Sequence, residues 1–266
     1  MCGLDLGILQ DMEKTCQVLR LGLMDYRQAW EMQNRMAEQI ANGERPQTLL
    51  LLEHPHTYTF GRRGQRENLL WSEEELARRG ISVHWVDRGG DVTYHGPGQL
   101  VGYPLLRLAQ GNIALAPTNL SPRLSQADYV GYIRKLEKTL ILALAKFGVP
   151  AVHLPGLTGV WVSVEKSHPA EPGSEPKPPA KIAAIGVKVD AKGVSRHGFA
   201  LNVNPDMHYW EGIIGCGLKD YTVTSLAEWM QPVPSMEQVM DAVVSAFGWV
   251  FGMEMVEAER FSSSPR

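Results

Sequence analysis

Cysteine is scarce in this chain. The 266 residues include only Cys2, Cys16 and Cys216. An odd number of widely spaced cysteines, with no CxxC pair and no Cys/His cluster, predicts neither a disulfide framework nor a structural zinc site. We therefore expect reduced thiols, a cytoplasmic location and no bound metal.

An excess of one charge and long apolar runs are also missing. The formal net charge is −3, so we expect no general attraction to nucleic acid or to an anionic membrane. No stretch is long and apolar enough to span a bilayer, and residues 1–16 lack the basic start and apolar run of a secretory signal. With 44% hydrophobic and 21% charged residues, the composition is typical of a globular protein that buries a sizeable core.

Apolar patterns predict strands and helices that do not alternate regularly. Strands are expected at Cys16–Leu23, Gln47–His54, Ile81–Asp87 and Leu100–Leu108, and in GVWVSV, KIAAIGVKV and GFALNVN. Helices are expected from Asp25 to Gly43, after Ser72, from Ser125 to Gly148, and from Ser235 to about Phe251. Ser72 and Ser235 stand at capping-box spacing. This order predicts an α+β domain rather than repeated βαβ units.

One polar segment interrupts these patterns. SHPAEPGSEPKPPA, Ser167–Ala180, is rich in proline and nearly free of apolar side chains, so it cannot bury enough surface to order itself. We expect a flexible insertion there, between a strand that ends near Val164 and one that begins near Ile182. Residues 1–266 are otherwise expected to form a single domain with its core at about 16–251.

A glycine-rich stretch, DRGGDVTYHGPGQLVGYPL, runs from Asp87 to Leu105. Paired glycines after a strand allow a tight turn and close approach to a ligand, although glycine alone also fits a structural hairpin. The interleaved polar residues Arg88, Tyr94, His95 and Gln99 favour a binding site. The stretch matches neither GxGxxG nor a Walker loop, so no nucleotide site follows from it and we expect no cofactor.

Lys181 stands where the proline-rich segment meets a strand. A lone lysine at a strand end is most often solvated, and we expect this of Lys188 and Lys192. Lys181 differs because the strand that it enters, IAAIGV, is small and apolar. A lysine held against such a strand is partly desolvated, which makes it a candidate for acid–base chemistry.

Cys216 lies between Gly215 and Gly217. Free cysteine is most often a small buried hydrophobe, which fits Cys16 well. Flanking glycines instead expose the sulfur and leave amide N–H groups free, as a nucleophile with an oxyanion site requires. Lys181, His95 and His197 are the candidates for the cation or base that activates this thiol, and their spacing does not choose among them.

Four motifs in this order resemble the lipoyl(octanoyl) transferases: RGGDVTYHGPGQLVGYPL, AKIAAIGVKV, HGFALNVNPD and the GCG cysteine. The resemblance extends roughly from Leu21 to Trp229. It implies the fold that this family shares with biotin and lipoate protein ligases, an α+β domain with a mixed sheet. It also implies an acyltransferase of lipoate biosynthesis that needs no ATP, because exchange between thioesters is nearly isoenergetic.

The same resemblance implies a nucleophile, Cys216, and a partner lysine, Lys181. Octanoyl-acyl carrier protein would acylate Cys216. A lysine of an apo-lipoyl domain, in a 2-oxoacid dehydrogenase or the glycine cleavage H protein, would then accept the octanoyl group; neither nucleic acid nor a membrane is an expected partner. The implied substrate-binding residues are Arg88, Gly89, Gly90, Asp91, Val92, Thr93, Tyr94, His95, Ala184, Ile185, Gly186, Gly198, Phe199 and Ala200.

Several alternatives stay open at this point. His95 is expected to order the pocket, with direct proton transfer as a second choice. Arg62, Arg63 and Arg66 are candidates for a basic docking patch for an acidic carrier protein, or else are solvated loop charges. The rival functions are an ATP-dependent ligase of the same fold, a thioesterase that pairs Cys216 with His95 or His197, and a binding module for the carrier protein.

Overall fold

The computed structural model describes residues 14–108, 126–163, 178–215 and 221–258, without the side chains of residues 126–128. Within these ranges the strands are β1 (Thr15–Leu23), β2 (Gln47–Glu53), β3 (Thr57–Phe60), β4 (Ser82–Trp85), β5 (Val92–His95), β6 (Gln99–Leu105), β7 (Ala151–Leu154), β8 (Leu157–Val162), β9 (Ala180–Val189), β10 (Ser195–Asn202) and β11 (Glu254–Glu257). The α-helices are α1 (Tyr26–Asn42), α2 (Glu73–Arg78), α3 (Gln126–Ala145) and α4 (Met236–Phe251), and short 3₁₀ turns include Arg66–Asn68 and Met207–Gly212.

Eight of these strands form one mixed sheet in the order β11-β1-β2-β6-β10-β9-β8-β7. Strand β1 runs parallel to β2 and β11, whereas the pairs from β2 to β7 are antiparallel. A second sheet has the order β4-β3-β5. The predicted α+β class with a mixed sheet is therefore confirmed.

The helix boundaries follow the expected capping chemistry. The side chain of Asp25 accepts a hydrogen bond from the Gln28 N–H, and α1 ends at Gly43, whose φ of 77° suits glycine. At α4, Ser235 and Gln238 form a complete capping box. At α2, Ser72 accepts from the Glu75 N–H, but the Glu75 carboxylate pairs with Arg78 and Arg79, so the expected capping box is only half formed. The four predicted helices are confirmed.

The helices cover the two faces of the large sheet separately. Helix α1 packs Ala29 and Ile40 on one face, and α3 and α4 pack Leu136, Leu140 and Val243 on the other. Burying each large aliphatic side chain contributes about 1.5–3 kcal/mol. Because both faces are covered, the central strands β2, β6 and β10 are buried along almost their whole length.

The small sheet was not predicted as a unit. Strands β3 and β5 have only four residues each, too few for a clear alternating pattern, and each owes its conformation to pairing with distant segments. Strand β5 lies inside the glycine-rich stretch, for which the sequence left a ligand-binding turn and a structural hairpin open. Tyr58, Phe60, Val92 and Tyr94 form the core of this sheet.

The expected insertion needs one correction. Ala180 belongs to β9 and pairs with Val162, so the strand begins before the expected Ile182 and the insertion cannot extend to Ala180. Residues 164–177 lie outside the described residues, as does the C-terminal tail. The single-domain boundaries stay a prediction. Among the helices of the described ranges, none is long and apolar enough to span a bilayer.

Candidate functional site

Small residues on two adjacent strands leave a narrow depression in the large sheet. Ala184 of β9 pairs with Ala200 of β10, and Gly186 pairs with Gly198. With no large side chains here, there is room above the strands for a slender group. We call this space the sheet cavity; its lining includes Tyr26, Arg88, Gly89, Gly90, Thr93, His95, Tyr103, Ala184, Ile185, Gly186, His197, Gly198, Phe199 and Ala200.

The residues before β5 cover this cavity because glycine allows close backbone contact. The Gly89 N–H donates to the Val187 carbonyl at 3.0 Å. A Cβ at Gly186 would lie 3.1 Å from both the Gly89 oxygen and the Arg88 Cδ, so a larger residue there would push the two segments apart. The guanidinium of Arg88 donates to the Thr59 carbonyl at 2.5 Å and to the Thr59 hydroxyl at 2.9 Å. The cover is thereby tied to the small sheet.

Not every predicted substrate residue faces this cavity with its side chain. Val92 and Tyr94 pack in the core of the small sheet, because side chains alternate along β5 and only Thr93 and His95 face the cavity. Ile185 and Phe199 line the cavity, but their side chains pack with the core under α3 and α4. Val92 and Tyr94 therefore do not line the sheet cavity, and substrate binding by the residues of the motifs stays a prediction.

His95 belongs to a directed chain of hydrogen bonds. The amide of Gln99 donates to the Asn202 side chain at 2.9 Å, so its oxygen accepts from Nδ1 of His95 at 2.8 Å. Nε2 of His95 is then left to accept from the Thr59 hydroxyl at 3.4 Å. Burial holds the pKa of His95 well below its usual range, which keeps the ring neutral. This bonding suits a residue that orders the cavity.

His197 is engaged at another edge of the sheet cavity. Its Nε2 lies 2.8 Å from Oδ1 of Asp87, and Asp87 also pairs with Lys188 and Arg196. Burial lowers the pKa of His197 even though Asp87 opposes that effect. For Asp87, burial would raise the pKa, but the hydrogen bonds from His197 and Lys188 outweigh it and hold the carboxyl well below its usual range.

Lys181 lies in a second cavity. It is 8% exposed, so the expected desolvation is met. Its Nζ lies 4.7 Å from the centre of the Trp161 ring, a cation–π geometry. We call this space the lysine cavity; it is lined by Thr93, Trp161, Lys181, Ala184, Trp210, Gly215, Tyr221, Thr222 and Val223. Thr93 and Ala184 line the sheet cavity as well, so the two spaces meet there.

Cys216 lies outside the described residues, but both flanking segments are described. Gly215 packs against the Trp210 ring, so that a Cβ at this position would lie 3.2 Å from the nearest ring carbon. Tyr221 packs edge-on against Trp161, with 5.1 Å between ring centres. The Lys181 N–H donates to the Thr222 carbonyl, and the Thr224 N–H donates to the Lys181 carbonyl. The chain on either side of residues 216–220 is therefore held beside Lys181.

Of the three candidates for activating the thiol, all in the described part of the chain, Lys181 alone shares the lysine cavity with Gly215. His95 and His197 line the sheet cavity. Cys16, by contrast, is fully buried, and burial raises the pKa of its thiol to about 12. The expectation that Cys16 is a structural thiol is confirmed.

A wider space opens beyond Lys181. We call it the long groove; it has a volume of about 840 Å³ and is lined by Arg63, Gln65, Glu67, Asn68, Gly89, Gly90, Asp91, Tyr129, Ile133, Gly156, Leu157, Thr158, Lys181, Ile185, Gly186, Val187 and Ile214. This volume is in the range of ligand sites, about 300–1,000 Å³. Asp91 lines this groove rather than the sheet cavity. Among the described residues, no cluster of three His, Cys, Asp or Glu side chains is placed to hold a metal ion.

Sequence reasoning did not find Trp161, Thr59 or Asn202 as site residues. Trp161 and Thr59 lie in short apolar strands, where such residues usually belong to the core, and Trp161 is fully buried. Asn202 is 2% exposed at the end of β10. A polar residue at the end of an apolar strand was the signal that could have identified Asn202. Its partners Gln99 and Thr224 come from distant segments, so the sequence does not show what Asn202 binds.

Comparison with known proteins decides the family. Residues 25–248 match the lipoyl protein ligase A/B catalytic domain. An octanoyltransferase of Chloroflexus aggregans is 42% identical over 92% of this chain and 99% of its own length. An octanoyltransferase of Acidobacterium capsulatum is also 42% identical, over 91% of this chain and 92% of its own. The chain belongs to the octanoyltransferase family. The family resemblance seen in the sequence and the expected acyltransferase class are thereby confirmed.

Solved structures agree on the fold. A bipartite lipoate protein ligase of Thermoplasma acidophilum has a TM-score of 0.63, covering 93% of this chain and 87% of its own, at 15% identity. A lipoate-protein ligase A with bound ATP has a TM-score of 0.60 at 14% identity, covering 93% of this chain and 90% of its own. At such low identity, the likeness establishes the fold alone.

Proposed function

We propose that the chain transfers an octanoyl group from octanoyl-acyl carrier protein to a lysine of an apo-lipoyl domain through a thioester on Cys216. The observation that carries this proposal is the meeting of the sheet cavity and the lysine cavity at Thr93 and Ala184. Gly215 lines the lysine cavity, and the next α-carbon along the chain, that of Cys216, is about 3.8 Å away. An acyl chain in the sheet cavity would thus have its carbonyl end beside Lys181 and the cysteine.

Lys181 supplies the charge and the proton transfers in this proposal. As an ammonium group it favours the Cys216 thiolate. The thiolate attacks the donor carbonyl carbon, the new C–S bond replaces the bond to the carrier thiol, and the leaving thiolate takes a proton from Lys181. The neutral amine of the acceptor then attacks, an amide bond replaces the Cys216 thioester, and the proton released by the amine returns to the cysteine sulfur.

The long groove supports the acyl carrier protein as donor. It contains Lys181 and Ile214 and extends to Arg63. Burial raises the pKa of Tyr129 in its lining, and the nearby charges of Arg62 and Arg63 offset part of that rise. The acyl group of a carrier protein is carried on an extended arm that contains a phosphate group. Such an arm suits this groove, because Arg63 offers a positive charge for the phosphate and Lys181 lies where the acyl group would react. Arg66 is engaged with Glu73 at 3.3 Å and does not line the groove.

The acceptors proposed are apo-lipoyl domains of 2-oxoacid dehydrogenases and the glycine cleavage H protein. Their support is the family, whose relatives are octanoyltransferases and whose catalytic domain is shared with lipoyl protein ligases. The cytoplasmic location expected from the few cysteines stays a prediction.

Intact mass spectrometry tests the thioester. The protein is mixed with octanoyl-acyl carrier protein without ATP, and we expect one hydroxylamine-labile octanoyl adduct on the peptide that contains Cys216. A Cys216→Ala variant should carry none, whereas Cys16→Ala serves as the matched control and should load normally. Labile octanoyl on the Cys216→Ala variant would contradict the proposal. Activity only with ATP and free octanoate would favour a ligase, and free octanoate without an acceptor would favour a thioesterase.

Alkylation of the thiol tests the role of Lys181. A Lys181→Ala variant should require a higher pH for reaction of Cys216 with iodoacetamide, because the thiolate loses a neighbouring cation. A Lys188→Ala variant is the matched control from the same strand. An unchanged alkylation profile for Lys181→Ala would remove Lys181 from the activating role.

A further inference from the structure

Two buried polar side chains join the loop after β3 to the residue before β5. Asn68 is 8% exposed and Asp91 is 9% exposed. The Asn68 amide donates to Oδ2 of Asp91, and the Gln65 N–H donates to Oδ1 of Asp91 at 3.1 Å. The Gly61 N–H donates to the Asp91 carbonyl at 3.1 Å. Buried polar groups are costly when unpaired, so this set of bonds holds residues 61–68 firmly on Asp91.

Asn68 also contacts the chain that leads to Cys216. Its carbonyl accepts from the Ile214 N–H at 2.9 Å, and two residues later the Leu70 N–H donates to the Gly212 carbonyl at 2.8 Å. Leu69 and Ile213 form an antiparallel bridge between these bonds. Residues 68–70 therefore act as a short strand beside residues 212–214, directly before Gly215.

The same residues meet at the reacting centre. Asn68, Asp91, Ile214 and Lys181 all line the long groove. On the other side of residues 216–220, the backbone of Lys181 holds Thr222 by a 2.9 Å hydrogen bond. The residue stretches that flank 216–220 are thus bonded to Asn68 on one side and to the lysine strand on the other.

From these contacts we propose that Asn68 and Asp91 are positioning residues that set the approach of Cys216 to Lys181. Asp91 acts through Asn68. This inference rests on the proposed role of Cys216 as nucleophile. A displacement of about 1 Å at a reacting centre can slow a reaction about a hundredfold, so loosening the pair should slow transfer even in a folded protein.

Exchange of the two side chains gives a sharp test. The double variant Asn68→Asp, Asp91→Asn keeps the charge and volume of the pair and reverses its donor and acceptor. A carboxamide at position 91 still accepts from the Gln65 N–H through its oxygen and donates through its nitrogen to a carboxylate at position 68. Asn68→Asp alone places two carboxylates in contact, which is unfavourable in a buried site.

Rates of octanoyl loading on Cys216 are compared at a temperature at which every variant is folded by circular dichroism. We expect Asn68→Asp to load at least thirtyfold more slowly than wild type and the double variant to load within threefold of it. Asp91→Asn alone should be slowed less, about three- to tenfold, and provides a measurement if Asn68→Asp does not fold.

Two results would overturn the inference: a folded Asn68→Asp variant that loads at the wild-type rate, or a double variant that recovers the wild-type unfolding temperature but not the loading rate. Iodoacetamide labelling of Cys216, read by peptide mapping, separates this from the proposed function. If Cys216→Ala still becomes acylated, the proposed nucleophile is wrong. A changed alkylation rate in Asn68→Asp, restored by the double variant, would still show that the pair positions the cysteine.

Discussion

Lys181 and Trp161 are directly paired between β9 and β8, and the lysine Nζ lies 4.7 Å from the centre of the tryptophan ring. The same ring packs against Tyr221, which follows residues 216–220. Trp161 therefore fixes the ammonium group relative to the chain on one side of Cys216. The contact with the aromatic face fixes the position of the ammonium group, and from that position its charge can act on a neighbouring thiol.

Removing this ring should slow acylation. A buried cation–π contact is worth about 2 kcal/mol, which corresponds to about a thirtyfold change. We expect Trp161→Leu to load octanoyl ten- to thirtyfold more slowly in single-turnover mass spectrometry, and Trp161→Phe to lie between Leu and wild type. Trp249→Leu is the matched control because Lys138 lies 4.6 Å from the Trp249 ring on the exposed surface. Equal losses in the two Leu variants would contradict the assignment.

Enlarging Ala184 should obstruct the junction between the sheet cavity and the lysine cavity, both of which Ala184 lines. Overpacking typically costs about 1–3 kcal/mol, and about 1.4 kcal/mol is tenfold in rate. We expect Ala184→Leu to lower octanoyl loading at least tenfold, with iodoacetamide labelling of Cys216 unchanged. Ala184→Ser, nearly equal in size, should load within about threefold of wild type. A Leu variant that loads normally would exclude this passage for the acyl chain.

Reversing the charge of Arg63 should weaken the binding of the acyl carrier protein. Arg63 lines the long groove, whereas Arg66 pairs with Glu73; both are exposed. We expect Arg63→Glu to raise the KM for octanoyl-acyl carrier protein at least fivefold, with little change in kcat, and to make that KM less sensitive to salt. Arg66→Glu changes the net charge equally and should shift KM by less than twofold. Equal effects would indicate general attraction rather than a local contact.

Acid should destabilise the fold through its buried histidines. Burial lowers the pKa of His54 to about 4, from about 6.5 in the unfolded chain. The unfolded state therefore takes up the proton first, so the stabilisation is complete above pH 6.5 and is lost as the pH falls toward 4. His54 alone accounts for about 3 kcal/mol, and burial acts in the same direction on His95 and His197.

Urea unfolding at pH 7 and pH 5 measures this effect. Wild type should lose free energy of unfolding on acidification. A His54→Gln variant should lose less over the same interval, although it starts from a lower value because the bonds of His54 to Met24 and Tyr103 are changed. His153→Gln, at an exposed position, should follow wild type. A pH dependence that is identical in the His54 and His153 variants would show that His54 does not contribute.

The sequence by itself determined the helices, the longer strands and the family. Caps such as Asp25 and Ser235 act within four residues of their partners, so local pattern is sufficient to find them. The glycine-rich stretch, Lys181 and the GCG cysteine stand out because their residue types are unusual for their surroundings. Those features depend on residue type, which the sequence gives without knowledge of the fold.

Tertiary structure alone decided which residues work together. The placement of Lys181 beside Gly215, apart from His95 and His197, depends on the lysine cavity, which β9 forms with residues 210–215 and 221–223. The direction of Val92 and Tyr94 into the core of the small sheet, away from the sheet cavity, follows from the pairing of β5 with β3. The Asn68–Asp91 pair joins residues 23 positions apart. Such contacts arise only when strands from distant parts of the chain pair in a definite register, because that register sets which side chains face the same space.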